Sequence, residues 1–220
     1  MNLSAVIFDL DGVIVSTDEF HYQAWKQISD QEQIYFDREI NERLRGVSRM
    51  ESLEIILSHS DKTYSENEKN QLAHRKNEIY CELLNNLSPN DILPGVINLL
   101  MSLIARNIKI AIGSSSKNTP FILDQIGLTT NFDAIADGNS IKKSKPDPEV
   151  FLLAAKMLGV KPEECVVIED AKAGIDAAKA AGMKAVGVGS AAHCVDANIK
   201  LNDLTSLDLE QLLEVNEIRS

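Results

Sequence analysis

An alternation of short apolar runs with helix-like periods, which fills the second half of the chain, constrains the fold more than any other feature. Runs typical of buried strands lie at 108–112, 133–136, 165–168 and 184–188, with helical periods between them. A similar run, apolar on both faces, lies near the N terminus at 4–8. Repeated β-α units predict a parallel sheet covered by helices on both faces. The expected fold class is therefore α/β.

The stretch between the first run and this alternation has helical patterns and no convincing strand. One of its helices is expected to begin at Ser65, because Ser65 and Glu68 form an S-x-x-E capping box. The sequence thus predicts one α/β domain, made of 1–15 and 88–220, which is interrupted by an all-helical insert over 16–87.

Composition narrows the class of function. A formal net charge of -11 over 220 residues repels nucleic acids and anionic membranes, so neither is an expected partner. Without a signal-peptide pattern or a run of about 18 apolar residues, a cytoplasmic location is expected. Cys81, Cys165 and Cys194 are widely spaced and odd in number, which predicts free, structural thiols rather than disulfides or a zinc site.

Polar residues follow three of the predicted strands. Asp9 and Asp11 come after the first run, a hydroxyl-rich loop occupies 113–118, and Glu169 and Asp170 follow the strand at 165–168. Ligands of open α/β sheets bind at the carboxyl ends of the strands, so these residues are expected to meet at one edge. Clustered carboxylates without His or Cys suit a hard divalent cation, and the sequence favours Mg²⁺ over Zn²⁺.

Asp9 and Asp11 lie two apart on an extended segment, so their side chains are expected to point the same way. One carboxylate can then attack phosphorus while the other transfers a proton, with the metal offsetting the charge. An acidic turn at the end of a strand is the alternative for this pair. The loop Ser114–Ser116 fits either a capped helix start or a phosphate cradle.

Three other residues have two interpretations each. Lys145, before a proline-bounded helix, is either a solvated surface residue or part of the site. Lys76 lies on the apolar stripe of its helix, so its side chain either reaches back to solvent or faces a cleft. His21 lies ten residues past Asp11, and in isolation such a histidine is more often structural than catalytic.

Four segments in this order resemble the motifs of the haloacid-dehalogenase superfamily of phosphotransferases. They are Asp-Leu-Asp-Gly-Val at 9–13, Gly-Ser-Ser at 113–115, Ser-Lys-Pro-Asp-Pro at 144–148 and Ile-Glu-Asp-Ala-Lys-Ala-Gly at 168–174. The insert segment 42–53 and the loop 116–118 are similar to the sugar-phosphate mutases of that superfamily more than to its generic phosphatases. The resemblance implies a Rossmann-like parallel sheet core with an inserted all-helical cap that closes over substrate.

The resemblance also implies roles for individual residues. Asp9 would be the nucleophile and Asp11 the general acid/base. Mg²⁺ would be held by Asp9, the backbone carbonyl of Asp11 and Asp170, with Glu169 nearby. The implied substrate-binding set is Thr17, His21, Trp25, Leu44, Gly46, Val47, Ser48, Arg49, Ser52, Lys76, Ser114, Ser115, Ser116, Lys117, Asn118 and Lys145.

Within this set, Ser114 and Lys145 would hold the transferring phosphoryl group, and Arg49 with 116–118 would hold a second phosphate. Thr17, His21 and Lys76 would couple cap closure to Asp11. Two departures from the pattern stand out. A serine at 115 takes a place where a small apolar residue is frequent, and is expected to be tolerated, while 138–143 has no role that the resemblance assigns.

The implied reaction interconverts β-glucose 1-phosphate and glucose 6-phosphate through an aspartyl-phosphate and a bisphosphorylated sugar. The expected partners are hexose phosphates, bound by a monomer. A sugar-phosphate phosphatase on the same scaffold is the first alternative. A phospho-Asp receiver module is the second, although such a module would have no use for the helical insert or for Arg49.

Overall fold

The architecture is given by a computed structural model, which describes residues 3–44 and 47–217. Its strands are β1 (Ala5–Phe8), β2 (Lys109–Gly113), β3 (Ala134–Ala136), β4 (Cys165–Glu169), β5 (Lys184–Val188) and β6 (Ile199–Leu201). Within the described residues they form one sheet in the order β3-β2-β1-β4-β5-β6, and every paired strand is parallel to its neighbour. The α/β class with a parallel sheet is confirmed.

The helices that connect and flank these strands also follow the predicted order. They are α1 (Asp18–Gln31), α2 (Arg38–Glu42), α3 (Arg49–Leu57), α4 (Glu66–Leu84), α5 (Val96–Ala105), α6 (Thr119–Gln125), α7 (Glu149–Leu158), α8 (Lys172–Ala180) and α9 (Leu209–Glu217). Ser65 caps α4 as expected, because its side chain accepts from the Glu68 N–H and the Glu68 carboxylate accepts from the Ser65 N–H.

The position of β1 explains where a ligand can bind. All four residues of β1 are buried, and the strand pairs with β2 on one side and with β4 on the other. The strands that follow β1 in the chain are therefore added to the sheet on both sides of it. Sheets of this kind open a crevice at the carboxyl ends of the central strands, where the connections diverge.

The chain divides into two compact units. One consists of Met1–Ser16 and Ser88–Ser220 and contains the sheet, and the other, Thr17–Leu87, contains α1 to α4. The chain leaves and rejoins the sheet unit at neighbouring points. Leu93 donates its N–H to the carbonyl of Ile14 at 2.9 Å, and Val15 pairs with Ile92 in an antiparallel bridge.

Each unit has a hydrophobic core of its own. In the sheet unit, Ile7, Ala111 and Val167 pack with Phe151 and Ile175 of the flanking helices. In the helical unit, Trp25 and Ile28 of α1 pack with side chains of α2, α3 and α4. Among the described helices, none combines the length and the apolar character of a membrane span.

Two short elements escaped prediction. Strand β6 has three residues and exposes Lys200, and helix α2 has five residues of which Ile40 is the buried one. Neither segment is long enough to show a hydrophobic period. The structure of each therefore depends on contacts with residues that are distant in the sequence.

Candidate active site

The carboxyl ends of β1, β2 and β4 carry the residues that the sequence singles out. Asp9 follows β1, Ser114 follows β2, and Glu169 ends β4, with Asp170 next to it. Asp9, Glu169 and Asp170 each place a carboxylate oxygen within 4.8 Å of the others. The parallel register thus brings together carboxylates that lie 160 residues apart in the chain.

Lys145 lies among these carboxylates. Its Nζ atom donates to Asp9 Oδ1 at 2.5 Å and to Glu169 Oε1 at 2.6 Å, and the lysine is only 5% exposed. Nζ also lies 4.7 Å from the ring centre of Phe151. The interpretation of Lys145 as a solvated surface residue is therefore wrong.

Burial and neighbouring charges set the protonation of this group. Burial raises the pKa of Asp9 to about 7, and the negative charges of Glu169 and Asp11 add to that rise, while Lys145 opposes it. For Lys145, burial lowers the pKa, but attraction to Asp9 and Glu169 outweighs burial and raises it well above the ordinary lysine value. Lys145 is thus a permanent cation beside a carboxylate that titrates near neutral pH.

Two glycines make room for the carboxylates. A Cβ atom at Gly12, whose φ is +77°, would overlap the carboxylate of Asp170. A Cβ atom at Gly174 of α8 would overlap Oε1 of Glu169, the same oxygen that accepts from Lys145. Both glycines lie inside the motif segments of the sequence, but only the structure shows that they are needed for space.

The donor set suits a hard divalent cation. Three carboxylates converge, and in the described residues the cluster includes no His or Cys, as Mg²⁺ prefers. Both oxygens of Glu169 have protein donors, because Oε2 accepts from the Ala171 N–H at 2.8 Å. Glu169 therefore anchors Lys145 beside the cluster.

The loop after β2 is folded on itself. Ser114 is buried, its hydroxyl accepts from the Ser116 N–H at 3.1 Å, and the Ser116 hydroxyl accepts from the Asn118 N–H at 3.2 Å. The buried hydroxyl of Ser115 has no hydrogen-bond partner among the described residues. Lys117 is exposed and Asn118 precedes α6. The loop therefore carries the Ser115 hydroxyl at the carboxyl end of the strand that neighbours β1.

Four predicted residues of the helical unit form one buried network. Thr17 Oγ1 lies 2.7 Å from Tyr80 Oη, His21 stacks on the Tyr80 ring, and Lys76 Nζ lies 2.7 Å from His21 Nδ1. Lys76 also lies over the Trp25 ring, 5.1 Å from its centre, and is 2% exposed. Of the two interpretations of Lys76, the one in which its side chain reaches back to solvent is thus wrong. Tyr80, which the sequence pattern did not identify, is the centre of the network.

Arg49 begins α3 and is half-buried. Its Nη2 atom donates to Asn77 Oδ1 of α4 at 2.7 Å, and burial lowers the pKa of its guanidinium. Asn77 gave no sequence signal beyond its place next to Lys76.

The other predicted residues of the insert are distributed as follows. Ser48 caps α3 with its side chain, and the buried Ser52 lies on α3. Leu44 packs in the core of the helical unit, and Val47 is half-buried. Gly46 lies outside the described residues.

The three cysteines are free thiols, as the sequence predicts. Burial raises the pKa of Cys165 to about 12, so this thiol is protonated at neutral pH.

Comparisons with known proteins identify the family of the chain. Residues 3–182 match the model of the haloacid dehalogenase-like hydrolase family. The chain is 50% identical over 214 residues to the β-phosphoglucomutase of Bacillus subtilis, covering 96% of this chain and 95% of that protein. It is 32% identical over 187 residues to a phosphorylated carbohydrates phosphatase of Thermotoga maritima, with 84% of each chain covered. A crystal structure of β-phosphoglucomutase from Clostridium difficile superposes with a TM-score of 0.92 at 44% identity, covering 97% of both chains.

Proposed function

Because the chain belongs to the haloacid dehalogenase-like hydrolase family, we propose that it acts as a β-phosphoglucomutase, an isomerase of β-D-glucose 1-phosphate and D-glucose 6-phosphate. Proteins of that name are 50% and 44% identical to it over nearly the whole chain. The observation that carries the proposal is the buried Asp9 carboxylate, held by Lys145 beside Glu169 and Asp170.

Asp9 is the nucleophile in this proposal. One of its carboxylate oxygens attacks phosphorus, the bond from phosphorus to the sugar oxygen breaks, and an aspartyl-phosphate forms. Asp11 gives a proton to the departing sugar oxygen and takes a proton from the attacking hydroxyl in the reverse transfer. Lys145 and Ser114 supply a cation and a hydroxyl to the phosphoryl oxygens.

Mg²⁺ is the proposed cofactor. Asp9, Asp170 and the backbone carbonyl of Asp11 would hold it, with Glu169 beside them. The cation offsets negative charge on the transferring group.

A mutase of this kind needs two phosphate positions. The phosphorylated Asp9 donates to the free hydroxyl of the sugar phosphate, and the resulting bisphosphate turns over and returns its other phosphoryl group to Asp9. As the sequence resemblance implies, we propose that Arg49, Ser116, Lys117 and Asn118 are the residues that bind the second phosphate. The residues proposed to line the sugar are Trp25, Leu44, Gly46, Val47, Ser48 and Ser52, with Thr17, His21 and Lys76 coupling the helical unit to Asp11, and Ser115 completing the loop beside Ser114.

The proposal is tested by following β-glucose 1-phosphate with ³¹P NMR in the presence of Mg²⁺ and a trace of bisphosphate. Signals of glucose 6-phosphate should grow in, and Asp9→Asn should reduce the rate by at least about 10⁴-fold because it removes the nucleophile. Isomerisation that survives in Asp9→Asn would contradict the covalent mechanism.

Arg49 separates the mutase from the second candidate, a sugar-phosphate phosphatase, which the Thermotoga maritima relative favours. A cation dedicated to a non-reacting phosphate matters only for a substrate that carries a second phosphate. Arg49→Ala should lower kcat/KM of isomerisation by about 10² to 10³-fold, while hydrolysis of an aryl phosphate changes less than threefold. Equal losses, or steady phosphate release without isomer, would favour the phosphatase.

We also propose that the protein works as a monomer in the cytoplasm on small hexose phosphates. Its net charge of -11 gives no attraction to nucleic acids or anionic lipids. Light scattering coupled to size exclusion should give a mass near 24.3 kDa, and a mass of twice that value would contradict the monomer.

A further inference from the structure

The backbone of the loop after β2 is held by a turn that follows β3. Strands β2 and β3 pair up to Gly113 and Ala136, and hydrogen bonds continue beyond both strand ends. The Ser114 N–H donates to the Ala136 carbonyl at 3.0 Å, and the Gly138 N–H donates to the Ser116 carbonyl at 3.1 Å. The Asn139 Nδ2 donates to the Lys117 carbonyl at 2.9 Å.

The turn is itself held by a buried carboxylate. Asp137 is 5% exposed, its Oδ1 accepts from the Asn139 N–H and the Ser140 hydroxyl, both at 3.0 Å, and its Oδ2 accepts from Asn139 Nδ2 at 2.9 Å. Asn139 Nδ2 therefore bridges Asp137 and the Lys117 carbonyl. Although Asn139 is exposed, its orientation is determined by a buried acceptor.

The contact between turn and loop is also tight. A Cβ atom at Gly138 would overlap the Ser115 carbonyl oxygen and lie 2.9 Å from the Lys117 backbone nitrogen. Backbone atoms cannot rotate away as a flexible side chain can, so a residue larger than glycine at 138 must displace the loop.

We propose that Asp137, Gly138 and Asn139, named here the 137–139 turn, are positioning residues that set the affinity of the loop for the phosphate group that is not transferred. The inference rests on the proposed function, in which Ser116, Lys117 and Asn118 bind that phosphate. The turn touches their backbone and has no part in the chemistry at Asp9. It assigns a role to part of 138–143, which the sequence left without one.

Asn139→Ala removes the bridging donor and tests the proposal. KM for β-glucose 1-phosphate should rise about five- to tenfold, since a net hydrogen bond of this kind is worth about that factor, while kcat changes less than twofold. Hydrolysis of an aryl phosphate, which has no second phosphate, should be unchanged. Asn139→Gln, which keeps an amide donor, should recover part of the loss, whereas Asn139→Asp should not.

Asn98→Ala, the same substitution at an exposed position of α5, is the control and should leave every parameter unchanged. Gly138→Ala should raise KM at least as much as Asn139→Ala, because it displaces the loop. An unchanged KM in both turn variants, or equal losses on both substrates, would overturn the inference.

A second readout does not depend on the reaction. In ¹⁵N NMR spectra, Asn139→Ala should shift the amide signals of 116–118, leave those of α8 in place, and speed hydrogen exchange at the Gly138 amide. If the wild type does not isomerise hexose phosphate, the proposed function fails, but these spectra still test whether the 137–139 turn positions the loop. Unshifted signals of 116–118 would contradict that role.

Discussion

At the scale of single residues, the site combines a carboxylate that titrates near neutrality with a lysine that does not. Asp9 must be ionised to attack phosphorus, and burial works against that ionisation. Lys145 lies between Asp9 and Glu169 and lowers the pKa of Asp9 against the effect of burial. A metal cation held by Asp9 and Asp170 would lower that pKa further. Metal binding and deprotonation of Asp9 are therefore coupled.

This coupling predicts how Mg²⁺ affinity depends on pH. Since the pKa of Asp9 without a cation is about 7, a proton competes with the metal below that pH, and affinity should rise up to tenfold per unit as pH increases toward 7. Above about pH 8 it should level off. Calorimetry in two buffers of different ionisation enthalpy should detect proton release near pH 6.5 that Asp9→Asn abolishes, and a flat profile from pH 5 to 8 would contradict the coupling.

The buried hydroxyl of Ser115 differs from Asp9 in that no described residue bonds to it. A buried hydroxyl without a hydrogen bond costs about 1 to 3 kcal/mol, and Ser115 has no partner among the described residues. Ser115→Ala should therefore raise the free energy of unfolding of the ligand-free protein by about 1 kcal/mol.

If the hydroxyl finds its partner in a bound phosphoryl group, the same variant should gain less stability from saturating inorganic phosphate and Mg²⁺ than the wild type does. Urea titrations with and without these ligands measure both quantities. Ser102→Ala, at an exposed serine of α5, is the control. A loss of stability in ligand-free Ser115→Ala would show that the hydroxyl is already satisfied.

At the scale of elements, the sequence predicted those whose patterns are long or buried. Strands β4 and β5 were expected within one residue of their observed bounds, because each has a continuous run of buried, mostly apolar residues. The convergence of Asp9, Glu169 and Asp170 followed from the parallel sheet alone.

Contacts between distant segments could not be predicted. Nothing local distinguishes Tyr80 from another aromatic residue on the apolar stripe of a helix. Its role depends on two distant contacts, with Thr17 just before α1 and with His21 of α1. Lys76 was recognised as unusual, but its burial depends on the same neighbours. The 137–139 turn is held by hydrogen bonds to residues 22 positions earlier in the chain, a separation that no hydrophobic period reveals.

Helix α8 offers a test at this scale, because Gly174 has two opposing effects. Replacing a helical glycine by alanine ordinarily stabilises by about 1 kcal/mol, but a Cβ atom here overlaps the Glu169 carboxylate and disturbs its bond to Lys145. Since weakening a buried ion pair costs more than that gain, Gly174→Ala should lower the free energy of unfolding by about 1 to 3 kcal/mol. Urea denaturation measures it.

Phosphotransfer should slow in Gly174→Ala as well, because Lys145 loses one of its two carboxylate partners. Lys172→Ala, at an exposed position of the same helix, should stay within about 0.5 kcal/mol of the wild type. A more stable Gly174→Ala would mean that Glu169 moves aside without cost.

At the scale of the whole molecule, the two units differ in their chromophores. The one tryptophan and all four tyrosines, Tyr22, Tyr35, Tyr64 and Tyr80, belong to the helical unit, while the carboxylate cluster belongs to the sheet unit. Tryptophan emission therefore reports on one unit, and the proposed Mg²⁺ site belongs to the other. Because each unit has its own core, we expect them to unfold separately.

Mg²⁺ at about 100 times its Kd should stabilise the sheet unit by about 2.7 kcal/mol. The main far-UV circular dichroism transition should then move up by several degrees, while the midpoint seen by Trp25 emission stays in place. Asp170→Asn should remove the shift. An equal shift in both signals would show that the units unfold as one.

The paired hydrogen-bonding of Ile14 with Leu93 and of Val15 with Ile92 has a consequence for how such proteins diversify. The segments at the two ends of the insert are already hydrogen-bonded to each other. The entropy cost of loop closure therefore changes only logarithmically with the length of the insert. A recombination event that exchanges residues 17–87 for another self-contained bundle leaves every strand pairing of the sheet intact. Selection can therefore replace the helical bundle as a whole, while Asp9, Lys145, Glu169 and Asp170 keep their places in the sheet unit.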